Sequence, residues 1–413
     1  MSSLNDAPII VLFLVLNNLD QQSDLYQCAL VNKTFYATAN PLLWREPQLV
    51  ASGTLRRDTI CSRLKQSFRQ TDEHCVHSTP LGHNVRKLNI SHKTFLQDLH
   101  SVINNVPLVE ELVIGVQRLK YQDMIRIALN CPQLKCLSCT STSYFTGSEW
   151  LFHPLRHCAN LREFSMVGIF NYKQLLAYLQ HCQLEKLKLH CPCAEDDFSK
   201  DTFFGGIPTL THLDIKCKTG DLFRYCWAQP SLTLFPVLTD LRITTGEKYG
   251  IFDNKYAVLL VKAHPFIRAL SLKYMKIDPA FLASLATDFI HLQRLSLIKN
   301  GDLPPFTKAF HRVEKLTLRG SSMITQSLDM YFPNLHYIHA DKTLKFWRYD
   351  DDISHTDGPV IETLTKLIYL DFASYDSVPS NLKVHLPRRM GGQLVKEDLD
   401  HIRETALGLV WIE

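Results

Sequence analysis

The stretch Leu292-Gln293-Arg294-Leu295-Ser296-Leu297 is one copy of a phrase that recurs along most of this chain. Each copy places apolar residues at its first, fourth and sixth positions. Twelve copies occur, with central apolar residues about 26 positions apart on average, namely Leu88, Leu112, Leu137, Phe164, Leu187, Leu213, Leu241, Leu270, Leu295, Leu316, Ile338 and Leu370. This period predicts stacked repeats, because no single unit of that size buries its apolar face alone.

Each copy predicts one short β-strand, because its last two apolar residues are two positions apart and share a face. Segments with helical spacing lie between copies, as in Phe281-Leu282 and Leu285 after Asp278-Pro279. Alternating strands and helices predict an α/β fold, a leucine-rich-repeat solenoid with a parallel concave sheet and helices on the convex side. We expect about 12 repeats over residues 85–375, a helical connector and cap over 48–84, and a C-terminal cap over 376–413.

The first fifty residues predict a module of three short helices. The first helix begins at Pro8, because a first helical turn tolerates the missing amide. Ser23 or Asp24 caps the second helix, and Asn32 caps a third that has to end before Pro41. The apolar run after Pro8 is too short to span a membrane and lacks the basic start of a secretory signal. An ordinary buried helix remains the alternative for this run.

Residues 6–47 resemble an F-box, through Pro8 and the aliphatic residues after it, Asp24-Leu25, Leu30-Val31-Asn32-Lys33 and Leu43-Trp44. The resemblance implies that the module docks a Skp-type adaptor and, through it, a cullin. The chain would then be the substrate-recognition subunit of an SCF-type (Skp-cullin-F-box) E3 ubiquitin ligase, holding a protein substrate on its repeats. The implied adaptor-binding residues are Pro8, Ile9, Ile10, Val11, Leu12, Val15, Leu25, Leu30, Val31, Leu43 and Trp44.

Two positions depart from the F-box pattern. Ala7 stands where the family usually has leucine, and Ile10 stands where it usually has glutamate. This leaves open an interaction scaffold of leucine-rich repeats whose module no longer binds an adaptor. The repeats are similar to those that accompany F-boxes, particularly in fungal proteins. A third alternative is a sensor that binds a small anion on the basic concave face, as some family members do.

The composition favours a protein without catalysis of its own. A net charge of +4 over 413 residues does not argue for nucleic acid, and twelve scattered cysteines without a secretory signal indicate reduced thiols in the cytoplasm or nucleus. No nucleotide-binding or hydrolase motif occurs, so we expect no enzyme and no cofactor. Zinc ligation was considered for Cys136 with Cys139 and for His190-Cys191-Pro192-Cys193 with Cys217 beyond. Structural thiols are favoured, because residues three apart on a strand point to opposite faces.

Side chains next to the inward apolar residues are expected to line the concave face. In the fifth to tenth repeats these positions hold eight Lys or Arg residues and two acids, Asp214 and Asp240. The pattern predicts a face that binds an acidic or phosphorylated segment of a protein substrate. An ordinary charged surface is the alternative. The predicted substrate-binding residues are Lys186, Lys188, His190, His212, Lys216, Arg242, Lys273, Arg294, Lys315 and Arg319.

Overall fold

A computed structural model of the chain describes residues 8–47, 62–64, 66–67, 80–90, 102–115, 121–144, 153–169, 172–191, 206–217, 235–245, 259, 263–301, 303–321, 328–341, 369–373, 384–385 and 393–394. The chain divides into two compact units. The first unit comprises residues 1–191 with 202–207, and the second comprises residues 192–201 with 208–413.

The first unit joins the helical module to a parallel sheet. Its helices are α1 (Ile9–Leu16), α2 (Gln22–Ala29), α3 (Lys33–Leu43), α4 (Tyr121–Asn130) and α5 (Tyr172–Leu179). Its strands are β1 (Lys87–Ile90), β2 (Glu111–Gly115), β3 (Cys136–Tyr144), β4 (Glu163–Ile169) and β5 (Lys186–Cys191). Each strand pairs with the next in parallel, so the sheet follows chain order.

The second unit continues the same strand pattern. Its strands are β6 (His212–Cys217), β7 (Asp240–Thr245), β8 (Ala269–Lys273), β9 (Arg294–Gly301), β10 (Lys315–Ser321), β11 (Tyr337–Asp341) and β12 (Tyr369–Ala373). These strands also pair in parallel and in chain order. Its helices are α6 (Pro279–Asp288) and α7 (Leu328–Tyr331), and a small antiparallel pair joins β13 (Val384–His385) to β14 (Gln393–Leu394).

The predicted apolar phrase is confirmed, because its central residues stand in one strand register in each unit. In the first unit Leu88, Leu112, Leu137, Phe164 and Leu187 stand in one register, and each is at most 2% exposed. In the second unit the register runs through Leu213, Leu241, Leu270, Leu295, Leu316, Ile338 and Leu370. The repeated unit is therefore one leucine-rich repeat, and both units have the α/β solenoid fold that the sequence predicts.

A turn leads into each of the strands β7 to β11, and it buries one large ring. Phe235, His264, Phe289, Phe310 and Phe332 each lie three positions before the first apolar residue of a phrase and are at most 3% exposed. Their carbonyls accept hydrogen bonds from the amides of those apolar residues, at 3.0–3.4 Å. Within this row of rings, Phe235 contacts His264 and Phe310 contacts Phe332, so these consecutive repeats pack through rings as well as through the sheet.

Of two segments between strands, one follows the expected strand–helix alternation and one departs from it. Helix α6 is confirmed where the sequence predicts it, with the Asp278 side chain accepting a hydrogen bond from the Phe281 amide at 2.7 Å. Residues 303–314 contain no helix. Phe306 and Phe310 of this segment fill the space instead, with Phe306 in edge contact with Phe332 at a centroid distance of 5.1 Å. Aromatic volume therefore replaces a helix in this repeat.

The caps of the module follow the prediction only at the third helix. Asn32 caps α3 as expected, since its side-chain oxygen accepts a hydrogen bond from the Phe35 amide at 2.9 Å. Helix α2 begins two or three residues earlier than predicted, after the extended residue Gln21, so Ser23 and Asp24 lie inside its first turn. Asp24 is favourable there, because the helix dipole places partial positive charge at that end.

The prediction that α3 ends before Pro41 is wrong. The helix continues to Leu43, and the Trp44 amide still donates to the Asn40 carbonyl at 3.1 Å. Proline removes one backbone hydrogen bond, but this one lies in the last turn of the helix. Leu42 and Leu43 beyond it pack against the module core, and this apolar contact stabilises the additional turn.

One hydrogen-bond pattern joins the module to the first repeat. In each strand pair of the first unit, the carbonyl just before one strand accepts two amide hydrogens from the next, as when Arg86 accepts from Glu110 and Glu111 at 2.8 and 2.9 Å. The Arg45 carbonyl, just after α3, accepts from Arg86 and Lys87 at 2.9 and 3.0 Å in the same way. The end of the module therefore occupies the place of a preceding repeat.

The expected connector and terminal cap lie largely outside the described residues. Residues 62–64 and 66–67 are helical, and Leu81–Asn84 forms a 3-10 turn directly before β1. Beyond residue 376 only the β13–β14 pair is described. The boundaries at 48–84 and 376–413 stay predictions.

Candidate functional site

The three helices of the module enclose a small apolar core. Its buried members are Leu12, Leu16, Leu25, Ala29 and Ala39. Helix α1 contributes only Leu12 and Leu16 to this core, at 2% exposure each, although all eight of its residues are apolar. The remaining six apolar side chains of α1 therefore face outward.

The module exposes many large apolar side chains, and we call them together the module surface. It combines α1 with the end of α2, where the exposed fractions reach 74% at Ile10 and 62% at Leu30. Its members are Ile9, Ile10, Val11, Phe13, Leu14, Val15, Tyr26, Leu30 and Val31. Water contact at so many large apolar side chains is unfavourable, and such a patch on a folded protein is typical of an interaction site.

Nine of the eleven predicted adaptor-binding residues are at least partly accessible. Leu43 and Trp44 are half-buried, while Pro8 and the predicted aliphatic residues of the module surface are exposed. Leu12 and Leu25 lie in the core, so they shape the surface from beneath. The sequence prediction omitted Phe13, Leu14 and Tyr26. Tyr26 is four positions before Leu30, a spacing that places both on one helix face.

A pocket opens between α1 and α3 at the edge of the module surface. It has a volume of about 350 Å³ and is lined mainly by Ile9 and Phe13 of α1 and by Ala37 and Pro41 of α3. Lys33 stands among the lining residues as the one cation. Such a pocket accepts an apolar side chain and offers one partner for a carboxylate.

On the outward sheet face of the first unit, opposite charges pair across neighbouring strands. Lys87 lies 3.0 Å from Glu111, and the predicted site residue Lys186 lies 2.6 Å from Glu163. The hydrogen bond with Glu163 raises the pKa of Lys186. Glu163 therefore offsets the positive charge of Lys186. On the same strand, Lys188 is exposed and His190 is half-buried.

Cys136 lies between two carboxylates on this face. Burial raises the pKa of its thiol to about 11, with further contributions from Glu163 and Glu111. Cys139 on the same strand is buried on the opposite face, as the sequence predicts, and burial raises its pKa to about 12. Neither thiol is activated as a nucleophile, because the thiolate is strongly disfavoured in both.

The second unit brings two of its predicted cations together on one acid. Arg294 Nη2 lies 3.1 Å from Asp240 Oδ2, and Arg242 Nε lies 3.6 Å from Asp240 Oδ1. The Asp240 side chain is 10% exposed, whereas the Arg242 and Arg294 side chains are 62% and 59% exposed. The two guanidinium groups therefore cover the carboxylate and present themselves to solvent.

The other predicted cations of the second unit have different surroundings. Lys273 Nζ lies 5.0 Å from the ring centroid of Tyr274, and Lys315 is exposed beside Arg294 in the strand register. His212 Nδ1 lies 2.8 Å from the Thr211 hydroxyl oxygen. Lys216 has its own interactions, and the Arg319 side chain lies outside the description. Asp240 was counted as an opposing charge in the sequence, but here it organises the cations.

Metal and membrane sites were also sought in the described ranges. There, no group of three or more His, Cys, Asp or Glu side chains is placed to hold a metal ion. Cys193 of the second zinc candidate falls outside those ranges. Among the described helices, none has the length and apolar character that crossing a bilayer requires.

No family model matches this sequence, and no curated protein matches it. Among solved structures, a chain of the yeast Rad7–Elc1 complex is similar at 13% identity and a TM-score of 0.41, covering 95% of this chain and 100% of that one. The APL1 leucine-rich repeat domain is similar at 14% identity and a TM-score of 0.30, covering 62% and 74%. The APL1B leucine-rich repeat domain is similar at 14% identity and a TM-score of 0.34, covering 77% of this chain and 88% of that one. TM-scores below 0.5 assign no function to this chain.

Proposed function

We propose that this protein is the non-catalytic substrate-recognition subunit of an SCF-type E3 ubiquitin ligase in the cytoplasm or nucleus. Its helical module docks a Skp-type adaptor, and the adaptor links it to a cullin. The outward sheet face of the repeats holds a protein substrate that is acidic or phosphorylated. Catalysis belongs to the partners, since holding a substrate near a reactive group is itself a large rate effect.

The module surface is the observation that carries this proposal. Six of the eight side chains of α1 are apolar and at least 42% exposed, in the segment that resembles an F-box. Burying a large apolar side chain stabilises a complex by about 1.5–3 kcal/mol relative to leaving it in water. A helix with this distribution is explained by a partner that covers it.

The departures from the F-box pattern fit this surface. Ile10 is the most exposed residue of α1, at 74%, so replacing the usual glutamate extends the apolar surface and disturbs no internal contact. Ala7 lies outside the described residues. An adaptor that accepts this chain then meets an apolar contact at Ile10 where other family members offer a charge.

The Val31→Asp variant tests the docking step. Val31 is 61% exposed on the module surface, so the substitution leaves the fold intact but buries an unpaired carboxylate in the complex. Such burial costs a few kcal/mol, and we expect affinity for a Skp-type adaptor to fall by at least about 10-fold. Surface plasmon resonance with immobilised adaptor measures this.

Val237→Asp is the matched control, since Val237 is 44% exposed in the second unit and the chemical change is identical. Its adaptor affinity stays within about twofold of the wild type. Unchanged binding by Val31→Asp contradicts docking through the module surface. If the wild-type chain itself does not bind the adaptor, the interaction scaffold becomes the correct function.

A further inference from the structure

The sheet face of the second unit has a small polar centre at Ser271. Arg242 of β7, Ser271 of β8 and Ser296 of β9 stand side by side in the strand register. Lys273 follows Ser271 by two positions and shares its face, and Arg294 is one strand away and two positions before Ser296. Neighbouring strands are about 4.8 Å apart, so Arg242, Lys273 and Arg294 surround the two hydroxyls.

One acid holds two of these cations, Arg242 on its own strand and Arg294 across an intervening strand. Asp240 and Arg294 are separated by β8, whose register residue between them is Ala269. Ala269 has only a methyl group and is 8% exposed, so the Arg294 side chain can pass over it to reach Asp240. A larger residue at 269 would fill this space. Asp240 thus fixes the Arg242 and Arg294 side chains before any ligand arrives.

Lys273 lies beside the ring of the next residue, Tyr274. Tyr274 follows it in the left-handed region, with φ of 59°, which is unusual for a residue with a bulky side chain. The Tyr274 amide donates to the Ile298 carbonyl at 3.0 Å, and the Thr245 hydroxyl donates to the Tyr274 carbonyl. Strained backbone of this kind is concentrated at functional sites. The Lys273 ammonium lies 5.0 Å from the Tyr274 ring centroid, within the range of a cation–π contact.

We infer that Arg242, Lys273 and Arg294, with the Ser271 and Ser296 hydroxyls, form a phosphate-binding subsite that takes a phosphorylated side chain of the protein substrate. The inference rests on the proposed function in taking this face as the substrate-binding face. Asp214 stands beside Arg242 in the strand register, and Lys315 stands beside Arg294. Counting these two neighbours and Asp240, four cations and two acids leave a net charge of +2, which complements a phosphomonoester dianion. Guanidinium forks, an ammonium and hydroxyls together provide enough donors for the three phosphoryl oxygens, whereas a carboxylate has only two oxygens.

A pair of labelled peptides tests the subsite on the full chain without adaptor. The probes are a fluorescein-labelled ten-residue Gly-Ser-Ala peptide with one central phosphoserine and its unphosphorylated twin. By fluorescence anisotropy at constant ionic strength, we expect the phosphopeptide to bind at least about 10-fold more tightly, because its dianion gains charge-assisted hydrogen bonds. Inorganic phosphate is expected to displace it.

Three variants locate the effect. Arg242→Gln and Arg294→Gln each remove an exposed cation and are expected to lower the phosphopeptide preference at least about fivefold. Ser271→Asp places a carboxylate at the centre and is expected to abolish the preference, because like charges repel there. Lys308→Gln is the matched control. It removes one exposed positive charge of the same unit in the segment between β9 and β10, and it should leave the preference within about twofold.

The outcomes separate the subsite from its alternatives. An equal loss with Lys308→Gln overturns the inference, since attraction would then depend on overall charge. Equal binding of the two peptides overturns the assignment to a phosphorylated partner, and protection of β7–β9 from hydrogen exchange by inorganic phosphate would then identify free phosphate as the ligand. Arg294→Gln is expected to keep full adaptor affinity. A failure here and a failure of adaptor docking are therefore distinguishable.

Discussion

Replacing Phe332 with alanine is expected to lower the free energy of unfolding of the second unit by about 3–5 kcal/mol, the range measured for large aromatic truncations in cores. Phe332 is fully buried, stacks on Phe310 at a centroid distance of 5.1 Å and meets the edge of Phe306 at 5.1 Å. The aromatic residues of 303–314 replace a helix, so the cavity has few side chains that can move into it. Urea unfolding followed by hydrogen exchange of peptides from 303–341 measures the loss.

Phe266→Ala is the matched control for this truncation. Phe266 is 56% exposed and stacks only partly on His291, at a centroid distance of 5.9 Å. Its replacement should change the free energy of unfolding by less than about 1 kcal/mol, as surface substitutions usually do. Equal losses in the two variants would show that the ring row is not the part of the core that holds these repeats together.

Acidification is expected to destabilise the repeats around His264 as the pH falls from about 6.5 to about 4. His264 is 2% exposed, and its Nδ1 donates to the Phe235 carbonyl at 3.1 Å. Burial lowers its pKa from 6.5 to about 4, against a smaller opposing effect of that hydrogen bond. In this window the unfolded chain binds a proton that the folded chain does not, so stability falls with pH. The full difference is on the order of 3 kcal/mol.

The His264→Phe variant isolates this titration, because phenylalanine occupies the equivalent position in neighbouring repeats. We expect hydrogen exchange of peptides from 235–300 to lose less protection between pH 7 and pH 4.5 in the variant than in the wild type, after correction for intrinsic exchange. His311→Gln serves as the control, since His311 is exposed. If the variant and the wild type show the same pH dependence, burial of neutral His264 is not the cause.

The repeats were predictable because their burial pattern repeats. Residues two positions apart on every strand enter the same core, so the phrase that includes Leu295 and Leu297 reports strand, face and register together. The connections carry no such constraint. The aromatic segment at 303–314 satisfies the core with bulky rings, and its spacing alone does not distinguish it from a helical connection.

The module was predictable in outline and less so in detail. The Asn32 cap has a local cause and was found, whereas the end of α3 depends on Leu42 and Leu43 packing beyond Pro41. Helix α1 has eight apolar residues in a row. Periodicity therefore could not show which of them face the module core.

On the sheet face, the sequence identified charges but not their partners. Neighbours across strands are more than 20 residues apart in the chain, so the pairing of Lys186 with Glu163 needs the register. Asp240 is the clearest example. From the sequence alone, an acid among cations can either repel an anionic ligand or form ion pairs that position the cations. The small Ala269 between the strands decides the matter, and its contribution appears only after the strands are paired.

The two hydrogen bonds that the Arg45 carbonyl accepts connect the end of the helical module directly to the start of β1. A partner held on the module surface then has a set orientation relative to β1, with no hinge between them at this contact. Shortening the chain to remove residues 1–47 would also leave the Arg86 and Lys87 amides unpaired. Point substitutions on the module surface therefore separate docking from folding, because they leave this backbone connection in place.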